Sequence, residues 1–146
     1  MAKVFEIAIC KNFKGKMTAI PNVEAIAQKG LVNDRHFKEN NDKRCQITLI
    51  EIENIDYYNQ TFGTSIAPID FRRNIITEGI KLNELIDKEF FVGKAKIKAH
   101  DLCRPCKSLQ NNLGKENIIK EFLRKGGLRC EILASGKISV GDEIKI

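Results

Sequence analysis

His100-Asp101-Leu102-Cys103-Arg104-Pro105-Cys106-Lys107 puts two of the five cysteines and one of the two histidines within eight residues, together with Arg104 and Lys107. Thiolate rather than thiol is the nucleophile and metal ligand, and flanking cations such as Arg104 and Lys107 favour it. Pro105 fixes its own φ and biases Arg104 toward an extended conformation, so the segment reads as a stiff loop. A reactive or metal-facing cysteine on a rigid loop is one reading. Two half-buried thiols in a reducing cytosol is the other, and this segment alone does not choose between them.

Two further groups of residues suit an anion. Lys11-Asn12-Phe13-Lys14-Gly15-Lys16 is a loop with three lysines and a glycine. It is either solvated surface or ammonium groups clustered beside a flexible backbone, as a phosphate requires. Phe71-Arg72-Arg73-Asn74-Ile75 sets two adjacent arginines before an apolar strand, and one of them is expected to share the face of the apolar residues. Guanidinium forks match phosphate and carboxylate geometry, although an edge-strand arginine pair is the plainer alternative.

Other chemistries fit less well. His100, Cys103 and Cys106 with Cys130 supply zinc-type ligands, but the second closely spaced pair of a structural zinc site is missing. Cys103-x-x-Cys106 has redox spacing and precedes a short helical stretch, yet no convincing βαβ pattern surrounds it. Nucleic-acid binding would use the net charge of +6, but the chain has no tryptophan, two tyrosines and no RNP-type or helix-turn-helix signature.

The 146 residues fit one domain, 1–146, with 42% hydrophobic and 30% charged residues. The charge and a pI near 9.1 point to an anionic partner, or to a mildly basic surface without meaning. An odd cysteine count and an N-terminus without a signal-peptide core predict a reducing, cytoplasmic setting. No apolar run approaches the roughly 18 residues that span a bilayer, so no membrane partner is expected.

The elements that must position these groups are mostly short strands. Lys3 to Cys10 reads as a strand in which Phe5, Ile7 and Ile9 alternate against Glu6 and Ala8. Val23 to Ala27 is a second, and Gly30 to His36 is a turn entering another extended piece. Cys45 to Leu49 reads as a strand running into a helix that Thr48-Leu49-Ile50-Glu51 would open as a capping box. Ile52, Ile55 and Phe62 would give it an apolar side, and Gly63 would end it. Residues 90–98 and 137–145 echo one another as β runs around Val-Gly turns, which predicts tight antiparallel connections. Glu116 to Lys125 is predicted helical, with Ile118, Ile119, Phe122 and Leu123 on one side and Gly126-Gly127 as the stop. Leu128 to Ala134 is a further strand. The class is mostly β, or α+β, and barrel-like.

Five segments, in order along almost the whole chain, resemble the MOSC domain, named after the C-terminal domain of molybdenum cofactor sulfurases. Gly30 to His36, with Asp34-Arg35, resembles the family's Gly-x-x-x-Asp-Arg, and Arg44-Cys45-Gln46-Ile47-Thr48-Leu49 stands in place of Arg-Gln-Val-Ser-Leu. Phe71-Arg72-Arg73-Asn74-Ile75 resembles Phe-Arg-Pro-Asn-Ile or Phe-Gly-Glu-Asn-Leu. Leu102-Cys103-Arg104-Pro105-Cys106 matches the cysteine loop, and Gly136-Lys137-Ile138-Ser139-Val140-Gly141-Asp142 the closing Gly-x-Ile-x-x-Gly-Asp. Arg73 replaces a frequent proline, Asn12 stands where some relatives have serine, and which of Arg72 and Arg73 faces the ligand stays open.

The resemblance implies a MOSC-type β-barrel with two or three short helices, binding the molybdenum cofactor (molybdopterin). Cys106 matches the cysteine that ligates molybdenum in the amidoxime-reducing component and that is thought to carry a persulfide sulfur in sulfurases. Lys11, Arg35, Arg72 and Asn74 match positions that hold the pterin phosphate. Lys14 lies beside Lys11, while Cys103 and Arg104 accompany Cys106 on the cofactor side, with Cys103 either a resolving thiol or core. The implied role is cofactor binding or sulfur carriage, with a pyridoxal-phosphate cysteine desulfurase or a molybdoenzyme as partner in trans. The alternatives are a molybdenum-dependent reductase of N-hydroxylated compounds, a class whose members are longer than these 146 residues and carry an extra N-terminal barrel, and a non-catalytic binder of a phosphorylated small molecule.

Overall fold

β-branched and aromatic runs dominate the chain, and they fit pleated, half-buried surfaces. The computed structural model describes residues 2–12, 15–104, 107–115 and 117–146, leaving aside the side chains of Lys107, Ser108 and Asn112. In chain order come β1 (Lys3–Ile9), β2 (Thr18–Ala19), β3 (Asn22–Ile26), β4 (Gly30–Leu31), β5 (Ile47–Glu51) and α1 (Ile52–Phe62). A 3-10 turn (Pro68–Phe71) leads to β6 (Ile75–Glu78), and another (Leu82–Leu85) to β7 (Glu89–Val92) and β8 (Ala95–Leu102). Then follow α2 (Lys107–Leu113), α3 (Ile118–Glu121), β9 (Leu128–Ala134), β10 (Gly136–Ser139) and β11 (Ile144–Lys145).

The architecture is α+β. One eight-stranded sheet runs β11-β7-β8-β9-β5-β6-β1-β2, and a three-stranded sheet runs β10-β3-β4. The sheets are not closed into the expected barrel. The outer edge of β1 is divided between two short partners, β2 at Ala8 and Ile9 and an isolated bridge from Lys3 to Glu143. No continuous ladder can form there, although backbone bonds such as Val4 N–H to the Asp142 carbonyl (2.8 Å) hold the ends together.

β5 and β6 are parallel and joined through α1, so the chain does contain one βαβ unit where none was expected. Strands of this kind are buried on both faces, which explains the adjacent apolar pairs Leu49-Ile50 and Ile75-Ile76. Ile47, Leu49 and Ile75 enter the core between the sheets with Val23, Leu31, Phe90 and Ile132. Ile50 and Ile76 face the other way, against Ile55, Tyr58, Phe71, Leu109, Ile118 and Phe122. The helices therefore cover one side of the sheet and the small sheet covers the other.

Several local expectations are corrected. A register shift between Val4 and Glu6 in the β1–β6 pairing turns Val4 inward (1% exposed) and Phe5 outward (42%), against the predicted alternation. The capping box does not form: β5 continues through Glu51, the helix starts at Ile52, and no side chain caps it. Gly63 does end α1 in the left-handed region, but Tyr58 rather than Phe62 fills its buried face. Of the helix predicted from Glu116 to Lys125, only Ile118–Glu121 is α-helical, and Ile119 and Leu123 are exposed; Glu116 lies outside the described residues. β7 and β8 form the expected hairpin, whereas β10 pairs with β3 and β11 with β7. Among the described residues no helix is long and apolar enough to cross a membrane.

Candidate functional site

The lysine loop leaves β1 at Cys10, whose backbone is fixed by the segment after β4. The Asp34 carboxylate accepts the Cys10 N–H at 3.0 Å, and the Arg35 N–H reaches the Cys10 carbonyl at 2.6 Å. Burial pushes the Asp34 carboxyl up, but hydrogen bonds from the His36 side chain and the Cys10 and His36 amides, with the Arg35 charge, hold it below the usual carboxylate range. The Arg35 guanidinium lies 3.1 Å from Met17 Sδ, against the far end of the same loop. A hollow of about 520 Å³ opens here, lined in part by Cys10, Lys11, Asn12, Gly15 and Lys16. Gly15 lies over Cys10 so closely that a Cβ would come within 3.0 Å of the sulfur.

Arg72 and Arg73 diverge, which settles how two adjacent arginines fit beside an apolar strand. Arg72 closes the 3-10 turn in the left-handed region (φ 64°) and donates from Nη1 to the Gly15 carbonyl at 2.9 Å. Arg73 points to the other loop and donates from Nε to the Gly126 carbonyl at 2.9 Å. The next carbonyl, that of Gly127, accepts the Cys103 N–H at 2.7 Å. Gly127 has φ +100° and no room for a side chain, since a Cβ would fall 1.8 Å from the Leu49 carbonyl oxygen. Consecutive arginines thus anchor the lysine loop and the base of the cysteine loop to one point.

Asn74, next in sequence, is buried within the sheet. Its Oδ1 accepts the Thr48 N–H (3.1 Å), its Nδ2 donates to the Ala8 carbonyl (3.1 Å), and its own N–H donates to Thr48 Oγ1 (3.0 Å). It ties β1 and β5 to the start of β6, and this is where Thr48 is used.

At the cysteine loop, Cys103 is buried, and burial raises its thiol pKa despite the nearby Arg73 and Arg129 guanidiniums. Burial raises Cys130 further. Raised thiol pKa values suit buried, unreactive positions. Cys10, Cys45, Cys103 and Cys130 are all free. His100 is the residue bulged out of the β8–β9 pairing between Ala99 and Asp101, and its Nε2 lies 2.8 Å from Glu131 Oε1. It is thereby paired with a carboxylate, and among the described residues no group of three histidines, cysteines or carboxylates could hold a metal. A second hollow, of about 560 Å³, lies beside this loop with Cys103 and Arg104 in its wall.

Of the sequence-predicted site, Lys11, Arg35 and Arg72 converge on the lysine loop, while Cys103 and Arg104 line the second hollow. Asn74 lies beneath, in the sheet. Lys14 and Cys106 fall outside the described residues. Sequence reasoning missed the Arg73 anchor and the Arg129 partner of Cys103; only the Gly126-Gly127 pair, a signal of close backbone approach, hinted at the first.

The architecture is shared with solved structures. The YUAD protein from Bacillus subtilis matches at TM-score 0.83 and 19% identity, covering 98% of this chain and 93% of that one. YiiM from Geobacillus stearothermophilus matches at 0.76 and 16%, covering 99% and 74%. YiiM from Escherichia coli matches at 0.70 and 19%, covering 99% and 67%. No curated protein sequence matches significantly. The family description MOSC domain matches residues 33–145, a span that takes in Asp34-Arg35, the two arginines and the cysteine loop but not Lys11 to Lys16. The chain belongs to the MOSC domain family, which is associated in general with molybdenum cofactor binding and sulfurase function.

Proposed function

We propose that this chain binds a molybdenum-cofactor-type pterin through its phosphate at the lysine loop and uses Cys106 to accept and deliver sulfur, or to ligate molybdenum. The observation that carries this reading is the divergence of Arg72 and Arg73, which fastens an anion-suited loop and the base of the cysteine loop to adjacent residues. The donor set fits the group. Lys11 and Lys16 line a hollow of about 520 Å³, and Arg35 and Arg72 bond into the same loop. Ammonium and guanidinium donors of this kind hold phosphate by charge-assisted hydrogen bonds. Lys14 would add another ammonium, and Asn74 would act by fixing the strand ends beneath. When bound, the cofactor would supply a redox-active metal and a terminal sulfur position.

In sulfur carriage the Cys106 thiolate attacks the outer sulfur of a persulfide donor. The donor's S–S bond breaks, its cysteine leaves as thiolate, and Cys106 holds the transferred sulfur in a new S–S bond. Arg104 and Lys107 flank that thiolate in sequence and favour it. A cysteine desulfurase in trans is the donor this chemistry calls for.

Molybdenum and pterin content of protein made in a cofactor-producing host tests the binding half. Wild type is expected to carry pterin, and Arg35→Ala and Arg72→Gly to carry at least about fivefold less, since each removes a charged donor contributing roughly 1.5–3 kcal/mol. Arg72→Gly keeps the left-handed backbone at no steric cost, so it separates loss of the guanidinium from misfolding. Wild type free of pterin, or variants loaded like wild type, would overturn the reading. Molybdenum near one per chain would favour Cys106 as a metal ligand over a sulfur carrier, and with it reduction of N-hydroxylated compounds with an external electron donor.

A further inference from the structure

We propose that the hollow beside the cysteine loop is a binding site for a small molecule with an apolar body and a single carboxylate. This goes beyond the reading above, because it places a second ligand apart from the lysine loop. At about 560 Å³ the hollow has the size of a ligand pocket rather than a packing defect. Its apolar lining is Ile86, Leu102 and Leu123, and Leu123 is 62% exposed, a large aliphatic side chain left facing water.

The charges in the hollow do not balance. Among the described residues Asp101 is the one carboxylate in the wall: its Oδ2 lies 3.8 Å from Arg44 Nε, and its Oδ1 is buried without a hydrogen-bond partner, while Glu131, outside the lining, is bonded to His100 (2.8 Å) and to the Gln28 amide (2.9 Å). Arg104 and Arg124 also line the hollow, and among the described residues neither guanidinium is in an ion pair. Two guanidiniums at the rim of an apolar hollow suit a planar carboxylate, which each can hold by two parallel bonds. The Asp101 carboxylate in the same wall disfavours a dianion, so a monocarboxylate fits better than a phosphate.

The backbone beside the hollow is held by internal hydrogen bonds. Arg124 (φ 68°) and Asp87 (φ 66°), the neighbour of Ile86, both hold left-handed conformations that cost non-glycine residues about 1 kcal/mol or more each. Asn83 Nδ2 pins the Arg124 carbonyl at 2.8 Å, and the Asp87 N–H is bonded to the Ala99 carbonyl at 2.8 Å.

The test is an NMR titration of isotope-labelled full-length protein with 4-phenylbutyrate, using the neutral 4-phenylbutanol as control. The acid is expected to saturate with shifts at Leu102, Leu123 and Arg124, and the alcohol to bind about tenfold more weakly, the loss of one charge-assisted pair. Arg104→Gln and Arg124→Gln, at exposed positions, should each weaken the acid about fivefold or more with the rest of the spectrum unchanged. Arg35→Gln, at the lysine loop, should leave its affinity as in wild type, so failure of the phosphate-site reading and failure of this one are distinguishable. Equal binding of acid and alcohol, no saturable binding, or wild-type affinity in both arginine variants would overturn the proposal.

Discussion

At Asn74 one buried amide holds the strand ends of β1 and β5 to β6 through Thr48 and Ala8. Replacing it with alanine leaves the Thr48 N–H and the Ala8 carbonyl without their partner, which costs roughly 1–3 kcal/mol for each stranded buried group. Asn74→Ala should therefore lower the urea midpoint by an amount corresponding to about 2–4 kcal/mol. Unchanged stability would show that the amide is not structural. Glu131 makes a second residue-scale case. Burial raises its carboxyl, but hydrogen bonds from Gln28 and His100, the His100 charge and Lys43 outweigh burial and set it below its ordinary 4.5. A depressed folded value means that the unfolded chain binds more protons, so the contribution is present above pH 4.5 and is lost as pH falls through the lower folded value. Glu131→Gln should thus flatten the acid limb of stability against pH, measured by urea unfolding at stepped pH, and an unchanged slope would contradict it. Arg35, Arg72 and the lysine loop were legible in the sequence as cations without an obvious structural purpose. Their grouping was not, because it depends on a left-handed residue at Arg72 and on contacts across 57 positions.

At the scale of elements, the sequence signalled strands wherever apolar residues ran together, and these runs did become β1, β3, β5, β7, β8 and β9. What periodicity could not show was the slip in β1. A one-residue shift reverses every side chain after it, and the partner that imposes the shift, β6, lies some seventy residues away. The slip has a direct consequence. Val4→Ala should cost about 1–2 kcal/mol as a buried truncation, while Phe5→Ser should stay within about 0.5 kcal/mol of wild type. Thermal unfolding of the two variants checks this, and the reverse order would restore the simple alternation. The missing capping box has a similar origin. Thr48 and Glu51 have the right spacing for it, but Thr48 is taken up by Asn74, and Glu51 Oε2 by the Leu82 N–H at 3.3 Å. Tertiary partners overrode a local motif. The echo of residues 90–98 in 137–145 was equally real as sequence, but Asp142 and Glu143 are drawn to β1, so the second copy cannot close as a hairpin.

Across the whole molecule, the sheet holds two hollows beneath loops of different character. One is bordered by lysines and amides, the other by leucine, isoleucine and two arginines. β5 and β6 are largely buried, and the Phe71–Asn74 segment spans from one loop to the other. Lys11 and Lys16 lie at the first opening, and Arg104 and Arg124 at the second. Under the function proposed above, Cys106 is the sulfur-bearing residue. The most direct measurement is intact-protein mass spectrometry after incubation with a cysteine desulfurase and cysteine, comparing wild type, Cys106→Ser and Cys103→Ser. Wild type and Cys103→Ser should each gain the mass of one sulfur atom, removable by reductant, and Cys106→Ser should gain none while melting as wild type does. Loading that persists in Cys106→Ser, or that disappears with Cys103→Ser instead, would contradict the assignment.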